Sequence, residues 1–311
     1  MDRRQFITGA AAAGLLMARP TRALANHSSV QHLPYGGVCT HVLNKAQYRD
    51  TAKVAHHLKM VEAKVARDEW CPPGTGFAGF ARRLDGIHAV HPGLRWVFVT
   101  GRATEPIDPV LDQMEPYARL IVGIEGPNEW NLSGRPDWRA ELSAYTEELY
   151  AKVRARRAFR TVPVIGPSLA YPKGSGPHLG DHSAHMDVGN VHIYQPSYQV
   201  DTRYVQACID GARVVSGAKP MIATELNGQI GDGIVRWDGY EPTEADQAWC
   251  YELLMSEVAK RGVHRGFCYQ LLDHVKLYQP LTTKENRFGC FRADWSAKPL
   301  ADKVTLANRR G

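Results

Sequence analysis

No apolar run in this 311-residue chain is long enough to span a bilayer. The longest, Phe6 to Ala18, falls short of the roughly 20 residues a spanning helix needs and is rich in Ala and Gly. Phosphate-binding loops are missing too. Gly123-Ile124-Glu125-Gly126-Pro127 departs from G-x-G-x-x-G, and Pro127 lacks the backbone N–H that a phosphate needs, so neither a dinucleotide fold nor a P-loop is indicated. The six cysteines (Cys39, Cys71, Cys208, Cys250, Cys268 and Cys290) contain no C-x-x-C pair, which excludes a zinc ribbon or a thioredoxin-like motif. Lys/Arg runs and RNA-binding aromatic patterns are lacking beyond residue 25, which leaves nucleic acid without support as a partner. Thirteen histidines include no H-E-x-x-H; the first strand offers only His41 in place of H-x-H, and His56-His57 falls in a helical stretch.

The composition, 44% hydrophobic and 23% charged, is that of a globular protein with one sizeable core. Arg3-Arg4 ahead of Phe6, an Ala/Gly/Leu middle and the ending Ala23-Leu24-Ala25 are the three parts of an export peptide of twin-arginine type. Cleavage is expected after Ala25, giving a periplasmic or secreted protein. Four arginines and one aspartate leave with the peptide, so about half of the +6 net charge goes with it. A twin-arginine substrate folds before export, where thiols stay reduced, so the cysteines are expected to be free and buried.

Residues 26–311 read as one domain. Eight short β-rich runs follow one another: Val38 to Val42, Lys64 to Arg67, Trp96 to Thr100, Leu120 to Ile124, Val162 to Ile165, Asn190 to Tyr194, Met221 to Thr224 and Gly266 to Leu271. Helical spacing lies between most of them, as in Arg139 to Arg157, Tyr204 to Val215 and Thr243 to Lys260, the last opened by a Thr243/Asp246 capping box. Alternating strands and helices with eight strands predict a single-domain α/β fold, the (β/α)₈ TIM barrel, over a doubly wound sheet.

Catalytic groups of such a barrel sit where strands end, at its C-terminal face. The fourth run ends in Glu125-Gly126-Pro127-Asn128-Glu129 and the seventh in Thr224-Glu225, on opposite sides of the ring. Two facing carboxylates suit glycosidic cleavage, one protonating the leaving oxygen and the other attacking the anomeric carbon at a spacing of about 5–5.5 Å. On residue types alone they are as well read as solvated loop residues or a metal pair.

Asn128-Glu129 after strand four, His192-Ile193-Tyr194 on strand six and Thr224-Glu225 after strand seven resemble the clan A glycoside hydrolases, which include families 5, 39 and 128. The likeness runs from about residue 38 to 300 and takes in Phe291-Arg-Ala-Asp-x-x-x-Lys-Pro299, similar to the segment closing many such barrels. It implies a retaining hydrolase of a polysaccharide or oligosaccharide with Glu129 as acid/base, kept protonated by ionised Glu225, and Glu225 as nucleophile. By the same resemblance Asn128 bonds the sugar 2-hydroxyl, His192 lines the cleavage subsite, Tyr194 orients Glu225, and Arg67 at the end of strand two bonds the nucleophile or pairs with Asp68. Glu125 supports the strand end. Where the family carries a strand-eight Trp this chain has Cys268-Tyr269-Gln270, with Tyr269 as replacement. Among aromatic residues near strand ends (Trp70, Trp130, Trp237, Tyr194, Tyr198), Trp130 and Trp237 are counted as sugar contacts, Trp237 on a 228–242 loop suited to be a lid.

No cofactor or metal is expected, nor a membrane partner, and the chain is expected to be a monomer. Two rivals remain: a non-catalytic carbohydrate-binding barrel or exopolysaccharide assembly partner, and a metal-dependent hydrolase using His178, His182 and His185 with Asp181 and Asp187 after strand five, read here as a polar loop.

Overall fold

The computed structural model describes residues 36–274, 283 and 286–310. The export peptide proposed above and its cleavage point lie outside them. Strands and helices alternate: β1 (Gly36–Cys39), α1 (Thr51–Met60), β2 (Val65–Glu69), α2 (Phe77–Val90), β3 (Arg95–Val99), α3 (Ile107–Met114), β4 (Ile121–Glu125), α4 (Trp138–Ala155), β5 (Val164–Ile165), α5 (Pro172–Leu179), β6 (Gly189–Pro196), α6 (Thr202–Ser216), β7 (Met221–Gln229), α7 (Glu244–Lys260), β8 (Val263–Cys268) and α8 (Pro299–Arg309). All pairings between these strands are parallel, in the order β5-β4-β3-β2-β1-β8-β7-β6. The ends meet through Ile165 and Val188, where Gly166 N–H donates to the Val188 carbonyl at 2.8 Å. This is a (β/α)₈ barrel, as the sequence predicts.

Strands buried on both faces read as continuous apolar runs. Inward side chains from around the ring (Cys39, Val65, Val97, Ile165, Ile222 and Phe267) fill the interior, while a larger cluster packs the outer strand face against the helices. Gly37 admits the Phe267 ring, which would lie 2.5 Å from a Cβ there. The Thr243/Asp246 capping box is formed in both directions at the start of α7. The six cysteines are free and buried, Cys268 and Cys290 with sulfurs 3.8 Å apart. None of the described helices is long and apolar enough to cross a membrane.

Several boundaries differ from the sequence reading, β1 and β8 each beginning and ending two or three residues earlier than expected. β5 is only two residues long, and β7 runs on to Gln229, so the expected lid begins inside a strand.

The segment 286–298 lies against the residues that directly follow β8, with Phe291 N–H donating to the Leu271 carbonyl and Cys290 N–H to that of Gln270. Its anchor is Lys298, 2% exposed, whose Nζ donates to Asp273 Oδ1 at 2.7 Å and to the Arg287 carbonyl at 3.0 Å. Burial raises the Asp273 pKa and lowers that of Lys298, and the pairing opposes both. Removing one member of such a pair leaves a buried charge alone. Lys298→Met is therefore expected to cost about 3–5 kcal/mol in urea unfolding, with partial recovery in Lys298→Met/Asp273→Asn. Equal destabilisation of the single and double variants would show that packing, not charge, is what Lys298 supplies.

Candidate active site

The C-terminal strand ends open into a cleft of about 640 Å³, within the range of ligand-enclosing sites. Arg67 from β2 is its hub. The guanidinium is 5% exposed and donates through Nε (2.9 Å) and Nη2 (2.7 Å) to Glu125, through Nη2 to Asn128 Oδ1 (2.7 Å), and through Nη1 to Glu225 Oε1 (2.5 Å). Burial opposes the Arg67 charge, but Glu125 and Glu225 outweigh it and raise its pKa well above the ordinary value. Of the two partners expected for Arg67, the structure gives it the β7 glutamate. Asp68 turns instead to Thr40 Oγ1 (2.6 Å) and Val42 N–H (2.7 Å).

The second oxygen of Glu225 accepts from Tyr194 Oη at 2.5 Å, so both its oxygens are fixed. Burial first, and then the Glu225 charge, raise the Tyr194 pKa and keep that phenol a donor.

Glu129 follows β4 in a left-handed conformation (φ 43°), costly for a residue with a side chain. Its neighbours hold the turn. Asn131 Nδ2 donates to the Ala170 carbonyl (2.9 Å) and its Oδ1 accepts from Ala170 N–H (3.0 Å), while Trp130 Nε1 donates to Glu141 (2.9 Å). The Glu129 carboxylate meets His192 Nδ1 at 2.8 Å. Thr224 Oγ1 donates to Asn190 Oδ1 (2.8 Å) and so accepts from His192 Nε2–H (3.0 Å). With Nε2 protonated, the Nδ1 contact to Glu129 must carry one more proton, on one partner or the other.

That arrangement corrects the expectation that Glu225 raises the Glu129 pKa. Burial pushes Glu129 up, but the hydrogen bond and charge of His192 outweigh it, and the net direction is down. For His192 burial works downward, and the charge of Glu225 with the Glu129 bond reverses it, so His192 is raised. The proton belongs to the pair and favours the imidazole. A carboxylate oxygen of Glu129, one of Glu225 and a ring nitrogen of His192 lie within 4.8 Å of one another.

Asn128, Arg67, His192, Tyr194, Glu129, Glu225 and Tyr269 all line the cleft. Tyr269 stands edge-on to Tyr194 and Phe288, with ring centroids 6.0 and 5.6 Å away. The other two expected sugar contacts do not line this cleft, though Trp130 borders the cavity that adjoins it at Glu129. Trp130 is 9% exposed and packs on Leu142, Leu169 and Met186, its indole N–H held by Glu141; Trp237 is 94% exposed and, of its loop, only Gln229 lines the cleft. Trp70 is core, against Phe80 and Phe98. The sequence reading passed over Tyr171, 70% exposed on the cleft rim in a left-handed conformation, and Phe288.

Donors for a cation come together twice among the described residues, at Glu129/His192/Glu225 and at Glu147/His182/His185. A cation at the first would sit beside the Arg67 guanidinium and displace the His192 proton. The second lies outside the cleft lining, with His182 Nε2 on Ser143 Oγ at 3.0 Å. Asp187, expected with these histidines, is taken by Arg154 and by Val164 N–H at 2.7 Å.

No known family model and no curated protein matches the sequence. Solved structures do match the fold. A Rhizomucor miehei β-1,3-glucanosyltransferase in complex with laminaritriose has a TM-score of 0.61 at 13% identity, over 85% of this chain and 95% of that one. A β-galacturonidase from Eisenbergiella tayi bound to galacturonate gives 0.58 at 15% identity, and a β-glucuronidase from Ruminococcus gnavus 0.59 at 15%. This chain aligns over 89% and 88% of its own length with these two, but spans only 51% and 49% of theirs. At these identities the likeness defines a barrel architecture that glycoside-processing enzymes use.

Proposed function

We propose that this protein is a retaining glycoside hydrolase with Glu225 as nucleophile and Glu129 as acid/base. The observation that carries the reading is that an oxygen of Glu129 and one of Glu225 come within 4.8 Å of each other, so that two carboxylates face one reacting carbon as double displacement requires. Arg67 and Tyr194 hold the two oxygens of Glu225 and aim it. Its carboxylate attacks the anomeric carbon as the glycosidic C–O bond breaks, and the proton of the Glu129–His192 pair passes through Glu129 to the leaving oxygen. Water then gives its proton to Glu129 and attacks the same carbon, releasing Glu225. Proteins of similar fold that act on glycosides support the reading. Incubation of the purified protein with a panel of polysaccharides and aryl glycosides, following new reducing ends and anomeric configuration by NMR, tests it. Inversion, or no cleavage of any glycoside, would sink it.

The shared proton predicts a pH profile. A raised His192 pKa means that the pair keeps its proton past the ordinary imidazole value of 6.5 and loses it as pH rises further. kcat/KM is expected to hold through pH 6.5 and to fall above it, and His192→Gln to move that basic limb. A limb unmoved by His192→Gln would mean that Glu129 draws its proton elsewhere.

Residues 1–25 have a proposed role in export. Arg3→Lys with Arg4→Lys is expected to leave precursor in the cytoplasm; unchanged export would mean a general secretory route.

A further inference from the structure

We infer that the catalytic cleft is the middle of an open groove that seats an internal stretch of an uncharged glycan chain, so that cleavage is endo. The inference rests on the hydrolase reading above.

Its first support is the second cavity. About 700 Å³ in volume, it is bounded by Leu43, Trp70, Thr100 and Arg102 beyond the ends of β1, β2 and β3, and it shares Glu69, Asn128, Glu129 and Leu132 with the cleft. The two spaces therefore adjoin at the acid/base, which borders both. On the other side the cleft runs on to Tyr171, Gln199, Asp201 and Tyr204, beyond β5 and β6. The strand order places β2–β3 and β6–β7 on opposite sides of the ring, so the combined groove crosses the whole mouth with Glu129 and Glu225 between its arms. A site that removes single terminal sugars must close within about one ring of the nucleophile. Here each space falls in the range of about 300–1,000 Å³ that encloses a whole drug-sized ligand, more than one ring fills.

Apolar side chains on the rim add a second support. Tyr171 and Leu132 are 70% and 58% exposed at the cleft, and such faces are covered by the C–H faces of sugar rings. The third is charge. The described lining of the two spaces carries the carboxyls of Glu69, Glu105, Glu129, Asp201 and Glu225 against the cations Arg102 and Arg67, the latter already shared between Glu125 and Glu225. Carboxyls outnumber cations across this mouth, although residues 26–311 carry about half of the chain's +6 net charge. A polyuronate, with one carboxylate per ring, would meet like charge along this surface; an uncharged chain meets none.

The test uses the purified full chain and end-labelled linear polysaccharides: β-1,3-glucan, β-1,4-glucan and β-mannan beside polygalacturonate, with aryl glycosides alongside. The expected result is early labelled fragments of intermediate length from a neutral chain, with polygalacturonate left intact. Release of mono- or disaccharides from chain ends, cleavage of aryl glycosides alone, or preference for polygalacturonate would overturn the inference and leave the hydrolase reading in place. Cleavage of nothing would overturn both. On the polymer that is cut, Tyr171→Ala on one arm and Arg102→Ala on the other should each raise KM about tenfold, equivalent to ~1.4 kcal/mol. An unchanged KM in either variant would mean that the chain does not reach that arm.

Discussion

Glu225→Gln is expected to lower kcat by about four to six orders of magnitude, because in the proposed mechanism both displacement steps pass through this carboxylate and the remaining groups contribute little without it. The variant is expected to stay folded. A glutamine can keep both existing contacts, its carbonyl accepting from Arg67 Nη1 and its amide donating to Tyr194 Oη once that hydroxyl turns its hydrogen away. Arg67 remains paired with Glu125, while one carboxylate of the buried cluster is gone. Thermal melting should therefore give a Tm no lower than the parent's, as expected where a site holds like charges together for function. An inactive variant with a collapsed Tm would make Glu225 a structural partner of Arg67 and remove it from the reaction. Activity within tenfold of the parent would remove it as well.

How far the sequence discloses this site depends on which physical signal each residue leaves. Apolar strands are legible because a parallel strand is buried on both faces, which is how Glu129 and Glu225 could be placed at one mouth although β7 runs four residues past Glu225; Asn128, His192 and Tyr194 joined them only through the family resemblance. β5 is legible as an apolar run, yet its two laddered residues are fewer than periodicity alone implies. Side-chain partners are less visible. Arg67 could have taken Asp68 or Glu225, and only the inward face of β2 decides for Glu225, with Asp68 bonded to Thr40. Loop aromatics carry the weakest signal: Trp130, Trp237 and Tyr171 all follow strands, and burial by α4, full exposure and the cleft rim respectively are set by tertiary packing. The proton between Glu129 and His192 needs the Thr224–Asn190 bond to be seen, a relation across residues far apart in sequence.

Glu129→Ala should behave differently from Glu225→Gln. Loss of the acid removes about 10²–10⁴-fold of catalysis for substrates with poor leaving groups, whereas an activated aryl glycoside departs without protonation and still forms the intermediate on Glu225. That intermediate then accumulates, since water lacks its base. Azide is nucleophilic without deprotonation and is small enough for the space left by the side chain, and neighbouring Arg67 and His192 favour an anion in place of the lost carboxylate. Turnover of Glu129→Ala on the aryl glycoside should rise with azide and give a glycosyl azide of retained configuration. Glu125→Ala should not respond, because Glu125 is fully buried against Arg67 and does not line the cleft. A retained azide product from Glu225→Ala, with an inverted one from Glu129→Ala, would exchange the two roles: the residue whose place azide takes with inversion is the one that attacks the anomeric carbon.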